Sequence, residues 1–230
     1  MATSEWNLHI SKFLQRDKEI LAMLNTIFTV GHSTHEIGKL IELLKMHDIT
    51  AVCDVRSSPY SRFNPQYNRE SLKDNLLENG IKYVFLGKEL GARSDDPTCY
   101  QDGKVQYDRL AKTELFQLGL ERLLKGTRDY NIALVCAEKD PLECHRTILV
   151  ARELERKGCS ISHILETGEI ETHDEAIERL IKRLNADPDY DLFLTKEEIR
   201  NQAYSKQAEK ISYTPPKDDE RTSANMKFAK

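Results

Sequence analysis

A chain of 230 residues with 39% hydrophobic and 31% charged side chains has enough apolar material for one sizeable core and too much for a disordered polymer. With 34 basic against 38 acidic residues the net charge is −4, which excludes a protein that coats nucleic acid or membrane over its whole surface while allowing a local basic patch. Five cysteines, an odd number, make no disulfide framework in a chain of this length, and neither a signal-peptide pattern nor a run of ~18 apolar residues occurs. A cytoplasmic protein that spans no membrane is expected.

In chain order, Trp6, Ile10, Phe13, Leu14, Leu21 and Leu24 share one helical face, so residues 1–25 are expected to be an N-terminal helical extension. From residue 26 short β-branched runs alternate with longer amphipathic ones. TIFTVGHS, ITAVCDVR, IKYVFLG, NIALVCAE and ISHIL read as five strands. HEIGKLIELLKMHD, RESLKDNLLENG and DRLAKTELFQLGLERLLKG read as helices between them, the last two closed by Gly80 and Gly126. DPLECHRTILVARELERKG has the strongest start and stop signals: Asp140 as N-cap, Pro141 at the first helical position, Glu143 completing a capping box, and Gly158 as the stop. A further helix, THDEAIERLIKRLNAD, is ended by Pro188, and residues 191–230 read as a charged tail. Strands joined through helices run parallel. The expected architecture is a three-layer α/β/α domain over residues 26–190 with a mainly parallel sheet of about five strands. Either the N-terminal helix or the tail is a candidate for contact with a second copy of the chain.

In an open parallel sheet, ligands bind beyond the carboxyl ends of the strands. Polar and reactive residues gather there in this chain, and they define the expected site. His32 and Ser33 follow the first strand and could meet an anion at the next helix, or Ser33 could simply cap it. Asp54 and Arg56 follow the second; Arg56 suits a ligand phosphate or carboxylate, and the alternative is an internal ion pair. The long loop from Ser57 to Tyr67 carries Arg62, Asn64 and three aromatics, Tyr60, Phe63 and Tyr67, able to stack a planar group or to fold back on the domain. The fourth strand ends at Cys136 with Glu138 nearby. Cys144, His145 and Arg146 are expected in the first turns of the following helix, where the dipole and the neighbouring cations favour a thiolate.

Cys144 with His145, or Cys136 with Glu138, and Asp54 are thus the candidate catalytic groups, and His32, Ser33, Arg56, Arg62, Asn64 and Arg146 the candidate ligand-binding ones. The bland alternative makes both cysteines small buried hydrophobes. Cys136, Cys144, His145 and His32 could supply a mixed thiolate and imidazole set, but the spacing C-x7-C-H lacks the short intervals of structural zinc sites, so no metal is expected from sequence.

The segments TVGHST, DVRSSPYSRFNPQYN, LGKELGAR and VCAEKDPLECHR together resemble the family known as domain of unknown function 488, over roughly residues 26–170. The resemblance implies a soluble α/β domain whose characteristic residues fall on His32, Ser33, Asp54, Arg56, Pro59, Arg62, Asn64, Pro65, Cys136, Glu138, Cys144, His145 and Arg146, and it brings no activity with it. Where that pattern often has two glycines this chain has Gly91-Ala92. The expectation is an anionic ligand, phosphate-bearing and of nucleotide or nucleic-acid type, at the carboxyl edge, with cysteine-dependent chemistry. A non-catalytic nucleic-acid module and a thiol-based metal or redox sensor are the alternatives.

Overall fold

A computed structural model describes residues 26–185 and 194–215; the expected N-terminal helix lies outside them. Five parallel strands and one antiparallel strand form a single sheet. In chain order the elements are β1 (Thr26–Gly31), α1 (Ile37–Met46), β2 (Ala51–Asp54), α2 (Arg69–Glu78), β3 (Lys82–Phe85), a short hairpin of β4 (Tyr100–Gln101) and β5 (Lys104–Val105), α3 (Tyr107–Leu110), α4 (Glu114–Gly126) and β6 (Ile132–Cys136). After β6 come a 3-10 turn (Pro141–Glu143), a π-helical stretch (Arg146–Ala151) running into α5 (Arg152–Arg156), β7 (Ser160–Ile164), β8 (Ile170–Thr172), α6 (His173–Asn185) and α7 (Lys196–Ile211). The spatial order is β3-β2-β6-β1-β7-β8, with β8 antiparallel to β7.

The central strands β2 and β6 are buried along their whole length because helices cover both faces of the sheet. Ala133 and Val135 of β6 pack with Leu40, Leu44, Leu72 and Leu76 of α1 and α2. Ile132, Leu134 and Cys136 turn the other way, toward Phe116, Leu120, Ile177 and Leu180 of α4 and α6. The α/β/α layering and the five expected strands are therefore present, with β8 added at one edge.

Register places the site. Gly31 of β1 is paired with Cys136 of β6, and Asp54 of β2 with Val135, so the three central strands end level with one another. Their next residues, His32, Val55-Arg56 and Ala137-Glu138, share one edge. Close backbone approach holds that edge together: a Cβ on Gly31 would lie 1.9 Å from the Glu138 carbonyl oxygen, and one on Gly87 would lie 2.0 Å from that of Arg56.

Three expectations need correction. The helix predicted to start at Pro141 breaks at Cys144, whose backbone is extended (φ −136°, ψ 140°). Asp140 caps only the 3-10 turn, accepting from Leu142 N at 3.0 Å, and it pairs with Arg179 instead of closing a capping box. Glu143 pairs with Arg183 and Lys210. The second correction concerns the segment read as a charged tail: Lys196–Ile211 is a helix, α7, opened by a capping box between Thr195 and Glu198. Its Ala203 and Tyr204 pack into the core beside α6. The helix predicted over residues 108–126 also divides, at Thr113, whose hydroxyl caps α4 by accepting from Phe116 N.

Candidate functional site

The break at Cys144 is what builds the site. Cys144 stands between the 3-10 turn and the next helix: its carbonyl accepts from Thr147 N and Ile148 N at 3.1 and 3.2 Å, and its Sγ accepts from Arg146 N at 3.4 Å. The extended backbone turns Sγ inward, toward the end of β6. There Cys144 Sγ lies 2.9 Å from Glu138 Oε2. His145 Nδ1 lies 3.7 Å from Cys136 Sγ and 3.9 Å from Cys144 Sγ. On its other side His145 Nε2–H donates to the Val55 carbonyl at 2.9 Å, which fixes the tautomer and leaves Nδ1 with its lone pair toward both sulfurs when the ring is neutral.

Arg146 holds this loop closed. Its side chain is wholly buried and is the largest fully buried one among the described residues. The guanidinium donates to the carbonyls of Glu138 (2.6 Å) and Lys139 (3.2 Å), and Nε to Thr29 Oγ1 (3.4 Å). An expected ligand-binding arginine is therefore committed to the loop backbone.

Charge at the thiols is set by these neighbours. Burial opposes ionisation of Cys144, but the hydrogen bond from Cys136 and the positive charges of Arg146 and His145 outweigh it, and Cys144 titrates well below an ordinary thiol. Burial and the adjacent Cys144 push Cys136 up, so the two thiols titrate as one coupled pair and their shifts run in opposite directions. Burial and the Cys144 charge also raise Glu138. Burial lowers His145, and the Cys144 sulfur more than compensates, leaving it raised.

The second half of the site is the Asp54–Arg56–His32 group. Asp54, fully buried, accepts from Arg56 Nε (2.9 Å), Nη2 (2.6 Å) and backbone N (3.1 Å), and from the Tyr83 hydroxyl (2.8 Å). Arg56 Nη1 donates to His32 Nε2 at 3.0 Å, and His32 Nδ1–H donates to the Ser33 carbonyl at 2.8 Å. Burial and the Arg56 charge push His32 down to about 4, so it is a neutral acceptor. Three of the five N–H hydrogens of Arg56 are thus engaged, and two remain.

Both halves meet in a cavity of about 250 Å³. Arg56, Ser57, Arg93, Cys136, Glu138 and His145 line it, together with Ile211 and Tyr213 from the C-terminal segment. The Arg93 guanidinium sits 4.5 Å over the Tyr213 ring and makes no ion pair among the described residues. Cys144 lies just behind this wall, 1% exposed.

The structure therefore brings together Cys136, Glu138, Cys144, His145, Arg146, His32, Ser33, Asp54 and Arg56. Arg62 and Asn64 do not line the cavity; their loop carries its own hydrogen bonds, Ser61 N donating to Asn68 Oδ1 and Ser61 Oγ accepting from Phe63 N and Asn64 N. Of its aromatics, Tyr67 is buried and stacks on His32 with ring centroids 3.9 Å apart, whereas Tyr60 and Phe63 are exposed. Tyr213 and Tyr83 escaped the sequence reading. Tyr83 sits mid-strand, where nothing local marks it as a partner of Asp54, and Tyr213 reaches the cavity only because α7 forms.

A doubly wound α/β protein with a polar, thiol-bearing crevice at the carboxyl edge of its sheet is the class that fold and site define. The family model described as "Domain of unknown function DUF488" matches residues 36–152, and the chain belongs to that family. No curated protein and no solved structure matches the chain. Among the described residues no helix is long and apolar enough to cross a membrane.

Proposed function

We propose that this protein is an enzyme whose crevice binds a small anionic ligand, phosphate- or carboxylate-bearing, and that Cys136, Cys144, His145 and Glu138 supply the chemistry at its floor. The observation that carries this reading is the convergence of a thiol, an imidazole and a carboxyl group on the cavity lining, with a second thiol directly behind them, in a cavity also lined by an arginine with two unengaged N–H hydrogens. Arg93 adds a second cation, and Glu143, the other carboxylate of the wall, is neutralised by Arg183 and Lys210. The volume suits a ligand below the ~300–1,000 Å³ of drug-sized sites, such as a phosphate with a compact organic body.

Calorimetry with inorganic phosphate, nucleoside monophosphates and dicarboxylates tests the reading. Binding at sub-millimolar concentration, weakened about tenfold or more by Arg93→Ala, is expected. No binding of any of these anions at ~10 mM would sink it.

A second reading, single-stranded nucleic acid on the 57–67 loop, has one observation in its favour: Phe63 is 89% and Tyr60 57% exposed. It predicts salt-dependent oligonucleotide binding that Phe63→Ala removes and Arg93→Ala leaves unchanged.

A further inference from the structure

We infer that Cys136, Cys144 and His145 form a binding site for a soft divalent cation, Zn²⁺ in the first instance, with a coordination position left open toward the cavity. One donor atom from each of the three residues lies within 4.8 Å of the others, and all three residues are buried. The distances fit a metal centre closely. Zn–S bonds near 2.3 Å and Zn–N bonds near 2.0–2.1 Å at tetrahedral angles place sulfur and nitrogen ligands about 3.6 Å apart. The two S···N separations here are 3.7 and 3.9 Å.

The surroundings are those that a metal site requires. A ligating imidazole is oriented by a hydrogen bond from its other nitrogen, and His145 Nε2–H donates to the Val55 carbonyl. A ligating thiolate is steadied by backbone amides, and Arg146 N donates to Cys144 Sγ. Two thiolates balance a divalent charge, so the filled site adds no net charge beside the buried Arg146 guanidinium. Soft sulfur and imidazole donors select Zn²⁺ over Mg²⁺ and Ca²⁺, which demand oxygen.

Three protein ligands with a cavity in front is the pattern of catalytic zinc, in contrast to a closed four-ligand structural site. Cys136 and His145 themselves line the cavity, and Glu138, with Oε2 2.9 Å from Cys144 Sγ, is the neighbouring group able to take up or release a proton. The seven-residue interval between the cysteines, too long for the usual zinc spacing, is closed by the Arg146 guanidinium on the Glu138 and Lys139 carbonyls. That contact could not be read from spacing. What the open position does rests on the reading of the crevice as an anion site; the cation site itself does not.

The test uses the full chain, reduced and stripped with a chelator, then titrated with Zn²⁺ against a chromogenic competitor and with Co²⁺ by absorbance. One equivalent is expected to bind with Kd below ~1 μM, unaffected by excess Mg²⁺, and Co²⁺ should show thiolate charge transfer with tetrahedral d–d bands. Cys136→Ser and His145→Gln should each weaken Zn²⁺ binding at least ~100-fold, while Cys99→Ala and Cys159→Ala leave it unchanged. Should those site variants fail to fold, mass-spectrometric mapping of alkylation in the unaltered protein decides: Zn²⁺ should protect Cys136 and Cys144 and leave Cys159 reactive. Absence of protection, or Zn²⁺ binding indifferent to Cys136→Ser, overturns the inference. Anion binding is measured with and without metal. Anions bound by a protein that takes up no zinc would overturn the metal site alone, and a zinc protein blind to every anion would overturn the crevice reading alone.

Discussion

Two buried polar clusters stand on either side of Arg146, and they are organised in opposite ways. One is a line from β1 to α7: Thr29 Oγ1 to His163 Nδ1 at 2.8 Å, His163 Nε2 to His173 Nδ1 at 3.1 Å, and His173 Nε2 to the Tyr204 hydroxyl at 2.7 Å. Every ring nitrogen in it has a partner, and no atom of it lines the crevice. The other is the Cys136–Cys144–His145–Glu138 group, where one His145 nitrogen is tied to Val55 and the other faces two sulfurs at distances long for a strong hydrogen bond, beside a cavity. A closed network holds elements in place; an open one has donor atoms left for a ligand. Stability should follow the first cluster and binding the second.

Arg146 serves both clusters, so its removal has the largest expected effect. Arg146→Ala leaves two carbonyls and the Thr29 hydroxyl without their donor and opens a void the size of a guanidinium. A loss of about 4 kcal/mol in urea unfolding is expected, with thiol reactivity and anion binding disturbed together. A loss below ~1 kcal/mol would separate the two clusters and contradict their dependence on one side chain.

Gly31→Ala attacks the same junction from the backbone. The new Cβ would meet the Glu138 carbonyl oxygen at 1.9 Å and its carbon at 2.8 Å, neither of which a flexible side chain can vacate. About 3 kcal/mol is expected in denaturant titration, and the displaced Glu138 loop should weaken ligand binding at the crevice. Unchanged binding would show that the loop position is not what shapes the site.

Acid should open the closed cluster. Burial, then the Arg200 charge, push His173 down from 6.5 to about 4, against a smaller opposite effect of Asp174, and burial holds His163 well below its ordinary value too. His163, Tyr204 and the Glu155 carboxylate, 3.8 Å from Nε2, also face His173. A folded pKa below the unfolded one means that the unfolded chain takes up the proton first, so stability is full above pH ~6.5 and falls as pH drops toward ~4. For His173 the loss amounts to about 3 kcal/mol over that window. His173→Gln should be less stable at pH 7.5 and should show a shallower acid slope than the unaltered protein. Equal slopes would refute a neutral buried His173.

The contrast between the clusters also marks how far the sequence could be read. Five strands were visible as short runs rich in β-branched and apolar residues, most plainly the fully buried β2 and β6, and the positions after Gly31, Asp54 and Cys136 pointed to the crevice because register makes parallel strands end together. The two-residue strands β4 and β5 carry too little pattern to detect. Helix α7 is charged on most of its surface and buries only Ala203, Tyr204 and Gln207, so it reads as solvated tail until tertiary packing is known. The histidines of the closed cluster were unreadable for the same reason: His163 occupies an ordinary inward strand position and His173 opens a helix, and only the fold places them 3.1 Å apart. Cys144 was legible as a reactive candidate but in the wrong backbone, because local cap signals at Asp140 and Pro141 favour a helix that the Arg146 contacts to Glu138 and Lys139 interrupt. Arg62 was an attractive anion ligand by type alone, and it is not among the residues that line the cavity.

The sharpest test pairs two small substitutions, one in each cluster. Tyr204→Phe keeps the ring in the core and removes one hydroxyl, leaving His173 Nε2 without its 2.7 Å partner. It should cost about 1–2 kcal/mol and leave zinc and anion binding as they were. Cys136→Ala removes one sulfur from a residue 3% exposed beside a cavity, so little packing is lost, and about 1 kcal/mol or less is expected. It also removes the hydrogen bond that favours charge on Cys144, so the remaining thiol should titrate higher by the pH dependence of its alkylation. The smaller change in stability thus carries the larger change in chemistry. If Tyr204→Phe altered thiol reactivity as much as Cys136→Ala does, the closed cluster would be part of the active machinery, and the division between the two would have to be abandoned.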